Sequence, residues 1–207
     1  VAWTYRTGEL ETYEGTRDAS KAAFEATPIM VGGTLYFSTP SNRVIAIDAE
    51  TGAEKWVYNP QVDIRGDNSE FTSRGVSTWV DPSRKKGDPL YRRIFVGTID
   101  GRLIALDALT GQLIPSFGDE GQVDLSYGVG HIQVTSPPAI IDDVLVIGSA
   151  MGDNQRFNED AGVVRAYDVR SGRQIWAWDP IPRRPDAPGA ETWQGPRALQ
   201  TGAANAW

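Results

Sequence analysis

The stretch Ala46-Ile47-Asp48-Ala49-Glu50-Thr51-Gly52-Ala53-Glu54-Lys55-Trp56, AIDAETGAEKW, decides the fold because the chain writes nearly the same phrase three times. It recurs as ALDALTGQLIP at 105–115 and as AYDVRSGRQIW at 166–176. Aligned on Asp48, Asp107 and Asp168, the interval from 48 to 107 is 59 residues and that from 107 to 168 is 61. Gly52, Gly111 and Gly172 follow their Asp by four, and Trp56, Pro115 and Trp176 follow by eight. A near-constant period of this size marks a repeat architecture, in which each unit buries a face against its neighbours.

Inside each unit the pattern is one of short strands. Thr34–Thr39 and Arg43–Asp48 are rich in β-branched and aromatic residues and are separated by Pro40-Ser41-Asn42, a tight hairpin turn. Arg93–Thr98 and Arg102–Asp107 repeat the hairpin around Asp100-Gly101, a pair suited to turns that need positive φ. In the third unit Val144–Ser149 pairs with Gly162–Asp168, and the connection swells to MGDNQRFNEDAG at 151–162. That swelling marks where a ligand is expected. The Asp-x-x-Thr/Ser-Gly phrase is itself a turn into a fourth strand, with the carboxylate accepting local N–H bonds and the glycine relieving the backbone. Four strands and 50–60 residues per unit describe the blades of a β-propeller. Trp3 fits the outer strand of a preceding blade.

Composition sets bounds on function. With 207 residues, 40% of them hydrophobic, the chain can build a substantial core. Its 22 Gly, 13 Pro and 7 Trp suit a turn-rich all-β chain with regularly placed aromatics. A net charge of -7 gives no electrostatic footprint for nucleic acid. The basic cluster Arg84-Lys85-Lys86 and Arg92-Arg93 flanks Gly87-Asp88-Pro89 and reads as a solvated hairpin tip, with no partner assigned. The chain has no Cys, hence neither disulfide nor thiolate chemistry. No apolar run reaches the length of a membrane span and no signal peptide is visible. Three units fall short of the four or more blades of a closed ring, so the chain is expected to be part of a larger propeller.

The phrase A-x-D-x-x-T-G-x-x-x-W resembles the tryptophan-docking repeat of quinoprotein dehydrogenases, eight-bladed propellers that carry pyrroloquinoline quinone (PQQ). Non-enzymatic propeller scaffolds share this repeat. Longer phrases narrow the resemblance: VAWTYRTGEL, TPIMVGGTLYFSTPSNRVIAIDAETGAEKWVYNP, RGVSTW, IDGRLIALDALTG, TSPPAIIDDVLVIGS and GVVRAYDVRSGRQIWAWDP. Together they are similar to the N-terminal part of the dehydrogenase domain, especially of the glucose-dehydrogenase-like branch. The resemblance implies an all-β fold, a partial eight-bladed propeller of about three four-stranded antiparallel blades plus ends. The whole of 1–207 lies in it, with units near 24–60, 72–118 and 134–180.

A site for PQQ, a flat ortho-quinone with three carboxylates, needs an aromatic face, donors for the carboxylates and quinone oxygens, and a hard cation. By the resemblance, Arg74 in SRGVSTW matches the arginine that hydrogen-bonds the reactive quinone edge. Glu25 in FEATPIM matches a glutamate that lies against the cofactor; read from its chemistry alone, it caps local backbone or pairs with an Arg. Thr135 and Ser149 fit positions whose hydroxyls donate to PQQ, and Ala150 and Gly152 let the backbone approach the ring. Asp153 stands for the acidic ligand of bound Ca2+ or Mg2+, with Asn154 a second contributor. Trp207 matches the floor under PQQ and Asn205 a polar contact to it. Trp56 and Trp176 are structural docking residues, and His131 is expected to face solvent.

The chain also departs from the family pattern. Methanol-type members carry a Cys pair just before the RGV arginine, where this chain reads EFTSRGV. Glucose-type members carry a His four positions before it, where this chain has Glu70, so glucose specificity is not supported. The family's catalytic aspartate and asparagine metal ligand lie beyond the match to Trp207. The resemblance implies a periplasmic, possibly membrane-associated enzyme that oxidises an alcohol, polyol or aldose by hydride transfer to PQQ and passes electrons to ubiquinone or a cytochrome c. The remaining blades would be required, and the isolated chain would be inactive.

Overall fold

Each of the three repeated phrases lies at the third strand and following turn of a four-stranded antiparallel sheet. The computed structural model describes residues 1–15, 21–62, 71–150, 157–158, 160–195 and 197–202. In chain order the strands are β1 (Ala22–Ala23), β2 (Ile29–Val31), β3 (Thr34–Ser38), β4 (Val44–Asp48), β5 (Glu54–Tyr58) and β6 (Phe71–Thr72). Then come β7 (Ser77–Val80), β8 (Arg92–Gly97), β9 (Arg102–Asp107), β10 (Gln122–Asp124), β11 (Ala139–Ile141), β12 (Val144–Ile147), β13 (Val164–Asp168) and β14 (Gln174–Trp178). The sheets run β2-β3-β4-β5, β7-β8-β9-β10 and β11-β12-β13-β14, the up-and-down order of propeller blades. The all-β expectation and the four-stranded antiparallel units therefore hold. One pairing that the sequence did not signal, β1 with β6, is parallel and ties the approach to the first sheet to the approach to the second.

Both faces of the middle sheet are buried, which explains why β8 and β9 read as nearly continuous apolar runs rather than as a polar alternation. Ile94, Val96, Ile104 and Leu106 pack with Tyr36, Val44, Ala46 and Trp56 of the first sheet. Their neighbours Phe95, Leu103 and Ala105 point the other way, against Leu145, Ile147 and Tyr167 of the third. The period-two alternation is thus present but directs apolar side chains into two cores. Each fully buried Ile, Leu or Phe contributes about 1.5–3 kcal/mol, so the stacking of one sheet on the next holds the array together.

The repeated turn performs the local chemistry its residues suggest. Asp48 Oδ1 accepts from the backbone N–H groups of Glu50 (3.1 Å) and Thr51 (3.0 Å) and from the Thr51 hydroxyl (3.0 Å). Asp107 and Asp168 repeat the pattern two and three residues on. Gly52 and Gly111 adopt φ of 74° and 70°. A Cβ on Gly52 would stand 2.6 Å from the Trp3 ring, and one on Gly111 would stand 2.5 Å from the Trp56 ring. Glycine is needed there twice over, for the backbone and for the indole laid on it. The indole N–H of Trp3 donates to the carbonyl of Ala49 (3.3 Å) and that of Trp56 to the carbonyl of Ala108 (3.1 Å), in each case the residue after the turn aspartate. Trp3 thus docks as expected of a preceding unit, although residues 1–8 form no strand. Trp176 lies on β14 and is 43% exposed.

The third joint is built differently, because Pro115 stands where the other repeats have Trp. Here the Arg93 guanidinium donates to the carbonyls of Val169 (3.3 Å) and Arg170 (2.7 Å), so it occupies the donor position of the indole N–H. Gly118 N–H donates to Ser171 O (2.8 Å), and the 115–118 turn fills the space over Gly172. Arg93 is 4% exposed and lies over the Trp79 ring at 5.6 Å. It is therefore no part of a solvated hairpin tip, unlike its exposed neighbours Arg84–Lys86. The fourth strand of this sheet, β10, is displaced past the turn to 122–124, beyond the 118 at which the second unit was expected to end.

Two of the turn aspartates, Asp48 and Asp168, make stability depend on pH. Hydrogen bonds from the Thr51 backbone and hydroxyl hold the Asp48 carboxyl below its usual range, and the Ser171 hydroxyl and backbone do the same for Asp168 against opposing burial. A carboxyl lowered in the folded state stabilises above its unfolded value, about 3.9, and loses that contribution as pH falls through the folded value. In the full-length protein that carries this chain, Asp48→Ala is expected to lower Tm at neutral pH. The difference from wild type should shrink as the pH falls below the unfolded value and through the lower folded one. A pH-independent Tm difference would show that the carboxylate charge plays no part.

Candidate active site

The first strands of the three sheets begin at one end of the array, and the residues leading into them are joined side by side through the backbone. Thr27 N–H donates to Arg74 O (3.1 Å), and Arg74 N–H donates to Thr135 O (2.7 Å). These three residues precede β2, β7 and β11, so the links run from unit to unit along the edge formed by the inner strands. The order of strands in each sheet also brings the connection after β12 to this end.

Side chains converge on the same rim. An Arg74 guanidinium nitrogen lies 3.0 Å from a Glu25 carboxylate oxygen, and another donates to the Thr135 hydroxyl oxygen at 2.6 Å. Residues 49 and 61 apart in sequence are thus assembled into one Glu–Arg–Thr group. The side chains of Arg74 and Glu25 remain 25% and 45% exposed, so the pair is open to a ligand. With its oxygen accepting from Arg74, Thr135 keeps its own O–H proton to donate elsewhere. Glu25 pairs with an Arg, one of the two alternatives its chemistry left open.

Thr135, Ser149 and Ala150 line a cavity of about 210 Å³ whose other walls include Val134, Pro137, Ala139, Val146 and Val164. Ser149 is 3% exposed, and its hydroxyl reaches Val163 O at a long 3.4 Å. Ala150 is held by reciprocal backbone bonds with Gln133 (2.7 and 2.9 Å). Apolar walls with a few hydroxyl donors and a cation at the rim suit a flat, carboxylated ring. The cavity is smaller than the roughly 300–1,000 Å³ of complete ligand pockets.

Five of the expected positions, Glu25, Arg74, Thr135, Ser149 and Ala150, are therefore found at one end of the sheets. Gly152, Asp153, Asn154, Asn205, Trp207 and Glu70 lie outside the described residues. Among the described residues no group of three or more His, Cys, Asp or Glu is placed to hold a metal ion. His131 is exposed. Sequence reasoning passed over Ser73, which is 2% exposed and donates to Ser38 Oγ at 2.7 Å behind Arg74. It also passed over Thr27 and Gln133, which act through their backbones and leave no side-chain signature. The run Thr72-Ser73 of small hydroxyl residues before Arg74 was the available signal for the first of these.

Comparison with known proteins identifies the family and agrees with the fold. A family model described as PQQ: glucose/ethanol/alcohol dehydrogenase, beta-propeller domain, matches residues 1–207. The glycerol dehydrogenase large subunit of Gluconobacter thailandicus is 38% identical over 186 residues, covering 86% of this chain and 24% of that protein. The quinoprotein glucose dehydrogenase of Escherichia coli is 36% identical over 196 residues, covering 90% of this chain and 24% of that protein. Among solved structures, the quinohemoprotein alcohol dehydrogenase ADHIIG of Pseudomonas putida superposes with a TM-score of 0.68 at 31% identity, over 88% of this chain and 25% of that one. The chain spans about a quarter of the length of these relatives. It belongs to the PQQ-type glucose/ethanol/alcohol dehydrogenase family and matches that family's β-propeller domain along its whole length.

Proposed function

We propose that this chain supplies the wall of a PQQ site formed by Glu25, Arg74, Thr135, Ser149 and Ala150, within a dehydrogenase that oxidises an alcohol, polyol or aldose. The observation that carries this reading is the Glu25–Arg74–Thr135 group standing at the same end of the sheets as the cavity lined by Thr135, Ser149 and Ala150. When bound, PQQ supplies the two-electron acceptor for a hydride leaving the carbinol carbon.

The residues of the chain position and solvate. Glu25 and Thr135 hold the Arg74 guanidinium from two sides, so its planar donor fork is oriented before a ligand arrives. A fixed cation at the rim stabilises negative charge on a cofactor oxygen. The Thr135 O–H is available as a neutral donor into a cavity with Val and Pro walls. Asp153, with Asn154, would hold the Ca2+ or Mg2+; Gly152 would admit the ring, and Asn205 and Trp207 would contact it. The base that takes the hydroxyl proton comes from outside this chain, so the isolated chain is expected to give no dye-linked turnover. Electrons would pass to ubiquinone or a cytochrome c, and the enzyme would work in the periplasm, free or associated with the membrane.

The test is a PQQ titration of the full-length apoprotein, followed by tryptophan fluorescence with and without Ca2+. Saturable, metal-dependent quenching is expected, together with dye-linked oxidation of at least one of ethanol, glycerol or glucose. No quenching at any metal concentration would favour a non-catalytic propeller scaffold.

A further inference from the structure

A second and larger cavity, of about 410 Å³, opens between the first and second sheets at the opposite end, among the Asp-x-x-x-Gly turns. Its size is in the range of small-ligand sites. Three cations from separate elements line it: Lys55 of β5, Lys86 of the β7–β8 connection and Arg92 of β8. Tyr36 and Tyr91 add aromatic walls, and Val31 and Leu109 add aliphatic ones.

The lining carries three cations against two carboxylates, a net charge of +1. Of the lining carboxylates, Asp107 accepts from the backbone N–H groups of Leu90 (2.6 Å), Leu109 (2.8 Å) and Thr110 (3.1 Å), and Asp88 accepts from Lys85 N–H (3.1 Å). Lys55 is shared between Thr34 Oγ1 (2.8 Å) and Asp48 (3.4 Å). Lys86 and Arg92 form no ion pair among the described residues, and Arg92 donates only to the Thr78 hydroxyl (3.1 Å). Tyr36 gives its hydroxyl proton to Ala108 O (3.1 Å), so its ring serves as a wall. On a chain of net charge -7, a cavity with a net positive lining, two of whose cations have no ion pair among the described residues, favours an anion with an apolar body where aromatic and aliphatic walls stand beside them.

We infer that this inter-blade cavity binds a small organic carboxylate, with Lys86 and Arg92 on the carboxylate and Tyr36 and Tyr91 against its apolar part. The site does not depend on PQQ. Calorimetric titration of the full-length holoprotein with benzoate at low ionic strength tests it. Benzoate should bind, and benzamide, its neutral isostere, should not. Inorganic phosphate, which lacks the apolar body, should bind more weakly than benzoate. Lys86→Glu, at an exposed position, should weaken benzoate binding about tenfold or more while leaving PQQ quenching unchanged, and Arg92→Gln should act in the same direction. Absence of benzoate binding, wild-type affinity in both variants, or phosphate binding as tightly as benzoate would overturn the assignment.

Discussion

Arg74→Ala is expected to cost the full-length protein about 2–5 kcal/mol of PQQ binding, roughly thirtyfold or more in affinity, with a much smaller change in Tm. The effect is large because two losses add. The cation that would face the cofactor is gone, and the Glu25 carboxylate, now without its partner at 3.0 Å, is left beside an anionic ligand. The Thr135 hydroxyl also loses the donor at 2.6 Å that orients it. Arg74→Lys should recover only part of the affinity, since an ammonium is a point charge and cannot serve Glu25, Thr135 and a ligand through one planar fork. The measurement is the midpoint of PQQ quenching, with thermal melts of the apoproteins as control. Wild-type quenching in Arg74→Ala would remove Arg74 from the site.

Gly111→Val is expected to produce the largest loss of stability. The position has φ of 70°, which a β-branched residue tolerates poorly, and its new Cβ would meet the Trp56 ring at 2.5 Å. The indole must leave its seat, with loss of the bond to Ala108 O and of its place in the core between the first two sheets. A cost of about 3 kcal/mol or more follows, similar to the 3–5 kcal/mol of Trp56→Ala. The two changes should not add, because removing the ring also removes the clash. A double-mutant cycle read by denaturant midpoints gives the coupling, and strict additivity would show that the ring and the glycine do not meet.

These two experiments probe features of unequal visibility. The docking joint could be read from the sequence because its parts lie within a few residues of one another: the Asp carboxylate bonds to N–H groups two and three positions on, and the glycine follows at four. Hairpins such as 34–48 and 93–107 were legible for the same reason. The candidate site was legible only through a resemblance. Glu25, Arg74 and Thr135 carry no local signature, and an isolated Arg in a sequence reads as a surface residue.

What the sequence determined by itself was the repeat, and with it the stacking of four-stranded sheets, since strand pattern and turn chemistry are set by neighbours along the chain. The tertiary structure alone decided how the third joint is made, where Arg93 reaches carbonyls 76 and 77 residues away in place of a tryptophan. It also decided that Arg74 stands between a carboxylate and a hydroxyl from two other units, and that Lys86 and Arg92 line one cavity together with Lys55. The physical reason is common to all three. Turns and hairpins are closed by short-range bonds that the local sequence specifies, whereas these contacts exist only after apolar stacking has brought separate repeats together, and stacking energy carries no label for which polar side chains will meet.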